Sequence, residues 1–248
     1  MKRGYKLALW IVLALLLISL AGFVFWASAA APASPQALAA GQSGASVIVE
    51  TPNAWQVFRP SRGQPTAGLI FYPGGRVAYQ AYAPLLRPLA EKGYLVVVPP
   101  MPLILAIFGI NAADEVIKAY PEIKLWAVGG HSLGGSMAAS YARAHLDVVQ
   151  GLVLWASYPA GSDDLSKTSL KVASIYAAND GLATREKIDA SRPLLPASTR
   201  WIMIEGGNHA QFGSYGAQAG DLPASISPQA QWDQVVAATE DLLKELGK

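Results

Sequence analysis

The sequence predicts an α/β fold, a mostly parallel central sheet flanked by helices on both faces, behind one N-terminal membrane-spanning helix. Three observations lead there. Short apolar runs bounded by Gly and Pro alternate with stretches of helical spacing, the pattern of strands joined by crossover helices. Those runs are apolar at consecutive positions, as in residues 68–72 and 94–98, so both faces of the sheet must be covered. A charge-free run over residues 7–26 precedes them all.

Composition narrows the possibilities further. With 52% hydrophobic and 15% charged residues in a chain of 248, a disordered or polyelectrolyte protein is excluded. A net charge of +2 leaves no electrostatic footprint for nucleic acid. The chain has no cysteine and three histidines. It therefore has no disulfide framework, thiolate zinc site, cysteine nucleophile or lipidated cysteine. No metal or organic cofactor is implied, and a monomer is expected.

Lys2, Arg3 and Lys6 mark residues 1–6 as a basic cytoplasmic N-terminus, and no charge follows until Glu50. About 20 apolar residues match a bilayer-spanning helix, and Trp26 falls at interface depth. Residues 7–27 are read as a signal anchor. The alternative is a cleaved signal peptide, since Ala27-Ser28-Ala29 has the small-x-small form of a cleavage site. In both readings the domain lies on the extracytoplasmic side, at the cell membrane or secreted. Residues 28–45, rich in Ala, Ser, Pro, Gly and Gln, are expected to be a flexible tether.

The domain occupies residues 46–248. Residues 46–50 and 55–59 read as a hairpin, and 68–72 as a strand ending at Pro73-Gly74-Gly75. A helix is expected over 81–92, a strand over 94–98, and a helix over 112–119 that stops before Pro121. Residues 125–128 form the next strand, followed by a glycine-rich turn and a helix over 133–145. Further strands fall at 152–156, 172–176 and 201–204, and an amphipathic helix at 229–246 closes the chain. In such sheets the ligand sits beyond the carboxyl ends of the strands.

Gly130-His131-Ser132-Leu133-Gly134 is a G-x-S-x-G sequence between an apolar strand and a helix rich in small residues. That context makes Ser132 the candidate nucleophile, projecting from a tight turn that only small flanking residues allow. A glycine-rich phosphate turn is the competing reading, but the G-x-G-x-x-G spacing and the Walker lysine are missing. A serine needs a base. His209, in a loop after a strand, is chosen because His131 lies inside the elbow and should point away, and His145 lies more than three turns along the helix. Asp180, in an Asn-Asp-Gly turn after a strand, is the expected orienting acid; Asp163 and Asp164 are its rivals. The oxyanion donors are expected from the N–H groups of Leu133 and Gly75.

Phe71-Tyr72-Pro73-Gly74-Gly75, the elbow, Asn179-Asp180-Gly181 and the segment from Gly207 to Gly213 occur in an order that resembles the α/β-hydrolase superfamily, over about residues 46–247. The likeness is to the small lidless group called fold-5 or dienelactone-hydrolase-like. Dienelactone hydrolases use a cysteine nucleophile, so that activity does not carry over to Ser132. The frequent His-Gly of the oxyanion loop is Pro73-Gly74 here.

The expected activity is hydrolysis of a carboxylic ester or related acyl bond of a small-molecule or lipid-like substrate. Alternatives are an acyltransferase acting on envelope components with the same triad, and a non-catalytic membrane-tethered binding module. About 15 residues separate the strands on either side of the lid position, too few for a lid domain. The apolar segment 101–108 is expected either to wall the acyl site or to pack into the core. Arg76 could attract an anionic substrate group, but a solvated loop charge is the favoured reading.

Overall fold

The computed structural model describes residues 2–247, with side-chain environments from Tyr5 onward. Met1, Lys248 and the side chains of Lys2 and Arg3, part of the expected basic N-terminus, lie outside the described residues. Helix α1 (Lys2–Ser28) contains a 24-residue apolar stretch, Tyr5–Ser28, of mean hydropathy 2.8, exposed along its length except at Ala27. It is long and apolar enough for a membrane span or a signal sequence.

The domain is an eight-stranded sheet. Strands β1 (Val47–Glu50) and β2 (Gln56–Pro60) form the expected hairpin. They are followed by β3 (Gly68–Tyr72), β4 (Leu95–Val98), β5 (Trp126–His131), β6 (Gly151–Trp155), β7 (Lys171–Ala177) and β8 (Arg200–Ile204). The order is β1-β2-β4-β3-β5-β6-β7-β8, parallel from β4 to β8 and antiparallel only at the β1 and β2 pairings.

Consecutive apolar positions serve opposite faces. Leu69 and Phe71 join the core beneath α3 (Ala83–Glu91) and α7 (Pro228–Leu243), whereas Ile70 and Tyr72 join the one beneath α4 (Ala112–Ala119) and α5 (Leu133–Ala144). This is the period-two geometry of a strand buried on both sides. The β6–β7 connection holds no helix, so no lid domain intervenes.

Residues 29–44 correct the expectation of a flexible tether, because this segment is bonded to the domain. Ala31 makes a parallel bridge to Val77, its N–H donating to the Arg76 carbonyl at 2.7 Å. Ser34 caps α2 (Pro35–Ala40) by accepting the Ala37 N–H, and its own N–H donates to the Ser214 carbonyl. Ala37 is fully buried, and Arg87 of α3 donates to the Ala40 carbonyl. Alanine gives little hydropathy contrast between helix faces, which hid α2. Its local signals, Ser before Pro and Gly41 after the last turn, are those of a capped helix. Helix α6 (Arg185–Ser191) was also unanticipated; it follows Thr184 directly.

Segment 101–108 divides between two environments. Met101, Leu105 and Ala106 are buried, while Leu103, Ile107 and Phe108 are exposed. None of the eight lines the cavity at Ser132, so the acyl-wall expectation is corrected.

Candidate active site

Ser132 sits between β5 and α5 with φ +52° and ψ −123°, a conformation a non-glycine residue adopts only where its surroundings impose it. Here they do. A Cβ on Gly130 would come within 2.5 Å of the Gly134 carbonyl carbon, and one on Gly134 would overlap the Tyr72 carbonyl oxygen. The Ser132 N–H donates to the Trp155 carbonyl (3.0 Å), and its own carbonyl accepts from the Ser157 hydroxyl (2.6 Å). The turn is thus clamped to the end of β6.

His209 follows β8, and Asp180 follows β7. Their side chains meet at 2.8 Å, His209 Nδ1 to Asp180 Oδ2, and both are buried. The other carboxylate oxygen of Asp180 accepts the N–H groups of Leu182 (2.8 Å) and Ala183 (2.7 Å), which fixes the carboxylate plane. His209 Nε2 is buried and has no hydrogen-bond partner among the described residues. Ser132 and His209 line one cavity of about 300 Å³ with Leu133, Ser136, Ala156 and Tyr158. The rival acids lie elsewhere. Asp163 accepts from Ser140 on α5, and Asp164 caps the N–H of Ser166.

Gly75 lies against Leu133, since a Cβ on Gly75 would be 3.2 Å from Leu133 Cδ2. Gly75 itself borders a second cavity of about 410 Å³, shared with residues 29–31, Arg76 and Tyr215. The Arg76 environment corrects the solvated-charge reading. Its guanidinium lies 4.5 Å from the Trp26 ring centroid, Nη2 donates to the Ala29 carbonyl (2.9 Å), and its backbone adopts φ +59°.

Two residues that sequence reasoning did not place complete the constellation. Asp221 accepts backbone N–H groups from Gly181 (3.1 Å), His209 (3.2 Å), Leu222 (2.9 Å) and Ala210 (2.8 Å). One carboxylate therefore ties the loop of Asp180 to the loop of His209. The available signal was that Asp221 is the sole acidic residue between Glu205 and Asp233. The second is Tyr82, whose hydroxyl accepts the Gly74 N–H at 2.8 Å and lies 2.9 Å from His131 Nδ1.

His131 is buried beside His209, 4.5 Å between ring centroids, and it does not line the Ser132 cavity. Burial, then the neighbouring His209, hold its pKa well below the usual histidine value. The unfolded chain therefore binds a proton near pH 6.5 that the folded chain refuses. This contribution to stability is fully present above about pH 6.5 and is lost as pH falls towards the depressed folded value. Urea unfolding from pH 7 to 5 is expected to show a slope steeper by up to about 1.4 kcal/mol per pH unit in the wild type than in His131→Asn.

The alpha/beta hydrolase family model matches residues 68–233, more than half of the chain. This protein belongs to the alpha/beta hydrolase family. Solved structures agree on the fold. An esterase of Thermogutta terrifontis is 11% identical, with a TM-score of 0.58 over 82% of this chain and all of its own. The esterase domain of a Rhodothermus marinus protein is 14% identical, with a TM-score of 0.57 over 79% of this chain and 97% of its own. A Klebsiella pneumoniae protein assigned as a dienelactone hydrolase is 17% identical, with a TM-score of 0.58 over 74% and 91%. No curated protein sequence matches the chain. As a member of this family the chain is a hydrolase, and the residues just described are its candidate machinery.

Proposed function

We propose that this alpha/beta hydrolase cleaves a carboxylic ester through a Ser132–His209–Asp180 triad, held at the membrane by α1. The observation that carries the reading is the buried His209–Asp180 pair, whose remaining imidazole nitrogen has no partner, in the cavity that holds the strained Ser132. Asp180 holds His209 as the Nδ1–H tautomer, leaving Nε2 to accept the serine proton. Ser132 Oγ attacks the carbonyl carbon, and the resulting oxyanion is met by the N–H groups of Leu133 and Gly75. The tetrahedral intermediate collapses as His209 returns the proton to the departing alkoxide. Water, deprotonated by His209, then attacks the acyl-enzyme and releases the acid.

Known proteins of this fold include the two esterases above, which supports ester over amide. Retention of α1 is supported by the small-x-small sequence, which is helical through Ser28 with Ala27 fully buried; a signal peptidase would need this stretch extended and accessible.

A fluorophosphonate probe, which reacts only with an activated serine, tests the reading. Full-length wild type in detergent is expected to label stoichiometrically, and Ser132→Ala not at all. A folded wild type that stays unlabelled would refute it. The same preparation, incubated with an ester and an added alcohol, distinguishes hydrolysis from acyl transfer.

A further inference from the structure

We infer that the loop between β4 and α4 is a second membrane contact, one that seats the mouth of the active site on the bilayer so that the acyl ester comes from the lipid phase. The inference rests on the proposed function and on α1 as a membrane span. Outside α1, the exposed large apolar side chains among the described residues are Leu38, Leu103, Ile107, Phe108, Leu146 and Leu222. Three of these six belong to this one short loop, and Ile107 and Phe108 are each 52% exposed. Water is a costly neighbour for such a cluster.

The occupant is indicated by what adjoins the loop. The Phe108 ring packs edge-on against Phe23 of α1, 6.4 Å between centroids. Phe23 lies three residues before Trp26, about 4.5 Å along the helix axis at 1.5 Å per residue. With Trp26 at the lipid–water boundary, Phe108 stands at the depth reached by side chains that dip into an interface, about 5–10 Å. A second protein copy at this position would have to compete with lipid already surrounding α1.

The loop is also built to hold these side chains outward. Leu103 and Ile104 both have positive φ, +52° and +56°, and a β-branched residue rarely tolerates that conformation. The Ile104 carbonyl accepts the Arg76 N–H at 2.8 Å, and Leu105 Cδ2 would be 3.4 Å from a Cβ on Gly75. The membrane-facing loop is thereby bonded to the oxyanion loop. Arg76 in turn grips Trp26 and Ala29, and the cavity bordered by Gly75 opens against residues 29–31. One continuous path of contacts links the anchor, the apolar loop and the reacting centre.

The chain has no cysteine, so a single fluorophore can be placed at will. Full-length Phe108→Cys and Leu146→Cys, each labelled with bimane and reconstituted in phosphatidylcholine vesicles, are titrated with nitroxide-bearing lipid. Strong quenching is expected at position 108 and none at 146, which lies between α5 and β6 at the amino-terminal ends of the strands, away from the loop that follows β4. In parallel, Ile107→Ser/Phe108→Ser is assayed on long-chain methylumbelliferyl ester held in the vesicles and on methylumbelliferyl acetate in water. Turnover of the vesicle-borne ester is expected to fall about tenfold with acetate hydrolysis unchanged. Equal quenching at both positions, or an equal loss on both substrates, overturns the inference. Wild type that cleaves acetate but not the vesicle-borne ester overturns it alone, whereas wild type inert towards both overturns the ester-hydrolase reading as well.

Discussion

Ser132→Ala is expected to lower kcat for ester hydrolysis about 10⁶-fold, Asp180→Asn about 10⁴-fold, and the double variant no further than Ser132→Ala alone. The reasoning follows from the geometry. Alanine keeps the Cβ and the strained backbone of residue 132, so the folded structure is retained and only the nucleophile is lost. Asparagine at 180 can still bond both Leu182 and His209, but its amide nitrogen, facing Nδ1, favours the imidazole tautomer with its proton on Nε2. The base is then blocked at the atom that must take the serine proton. Groups acting as one unit give non-additive losses. Single-turnover kinetics on the three variants, with urea midpoints recorded alongside, provide the check. Multiplicative losses in the double variant would show that the two residues act independently and would end the triad reading.

Gly134→Val is expected to cost at least about 3 kcal/mol, with Gly161→Val close to neutral. Gly134 is the second residue of α5, and Gly161 lies in the connection between β6 and β7. They differ in what a side chain would meet. At Gly134 it would overlap the backbone carbonyls of Tyr72 and Pro73, and backbone cannot swing aside; at Gly161 nothing lies within 4 Å. In a domain of this size about 3 kcal/mol corresponds to a fall in Tm of about 10 °C, readily seen by thermal unfolding followed by circular dichroism. Relief of the clash would require α5 to withdraw from β3, which would also part Leu133 from Gly75. Fluorophosphonate labelling of the fraction still folded should therefore drop as well. A Gly134→Val protein of wild-type Tm would mean that the elbow is not packed as described.

Most of the sheet was legible because most strands carry their own signal, a largely apolar run closed by a turn residue such as Gly, Pro or Asn. The elbow was legible for the same local reason, since two glycines around a serine between strand and helix are constrained within five residues. Asp180 and His209 could be chosen by elimination and strand order. Asp221 could not be placed: it binds four backbone N–H groups, and a backbone N–H has no residue identity to read. Tyr82 and His131 meet across 49 positions, a separation at which spacing says nothing. Residues 29–44 misled in a different way. Their composition is that of a linker, yet small side chains also pack closely, and only the partner surface on α3 and β2 distinguishes the two cases.

That packing sets the boundary at which α1 can be removed from the hydrolase. A truncation starting where the sheet begins, near residue 46, would remove the partner of Val77, the Ser34 cap, the buried Ala37 and two carbonyls that receive the Arg87 guanidinium. It would leave apolar surface open on α3 and unbind the loop that carries Gly75. A cut near Ala30, immediately past the last turn of α1, keeps these contacts, so most of what looked like spacer travels with the enzyme.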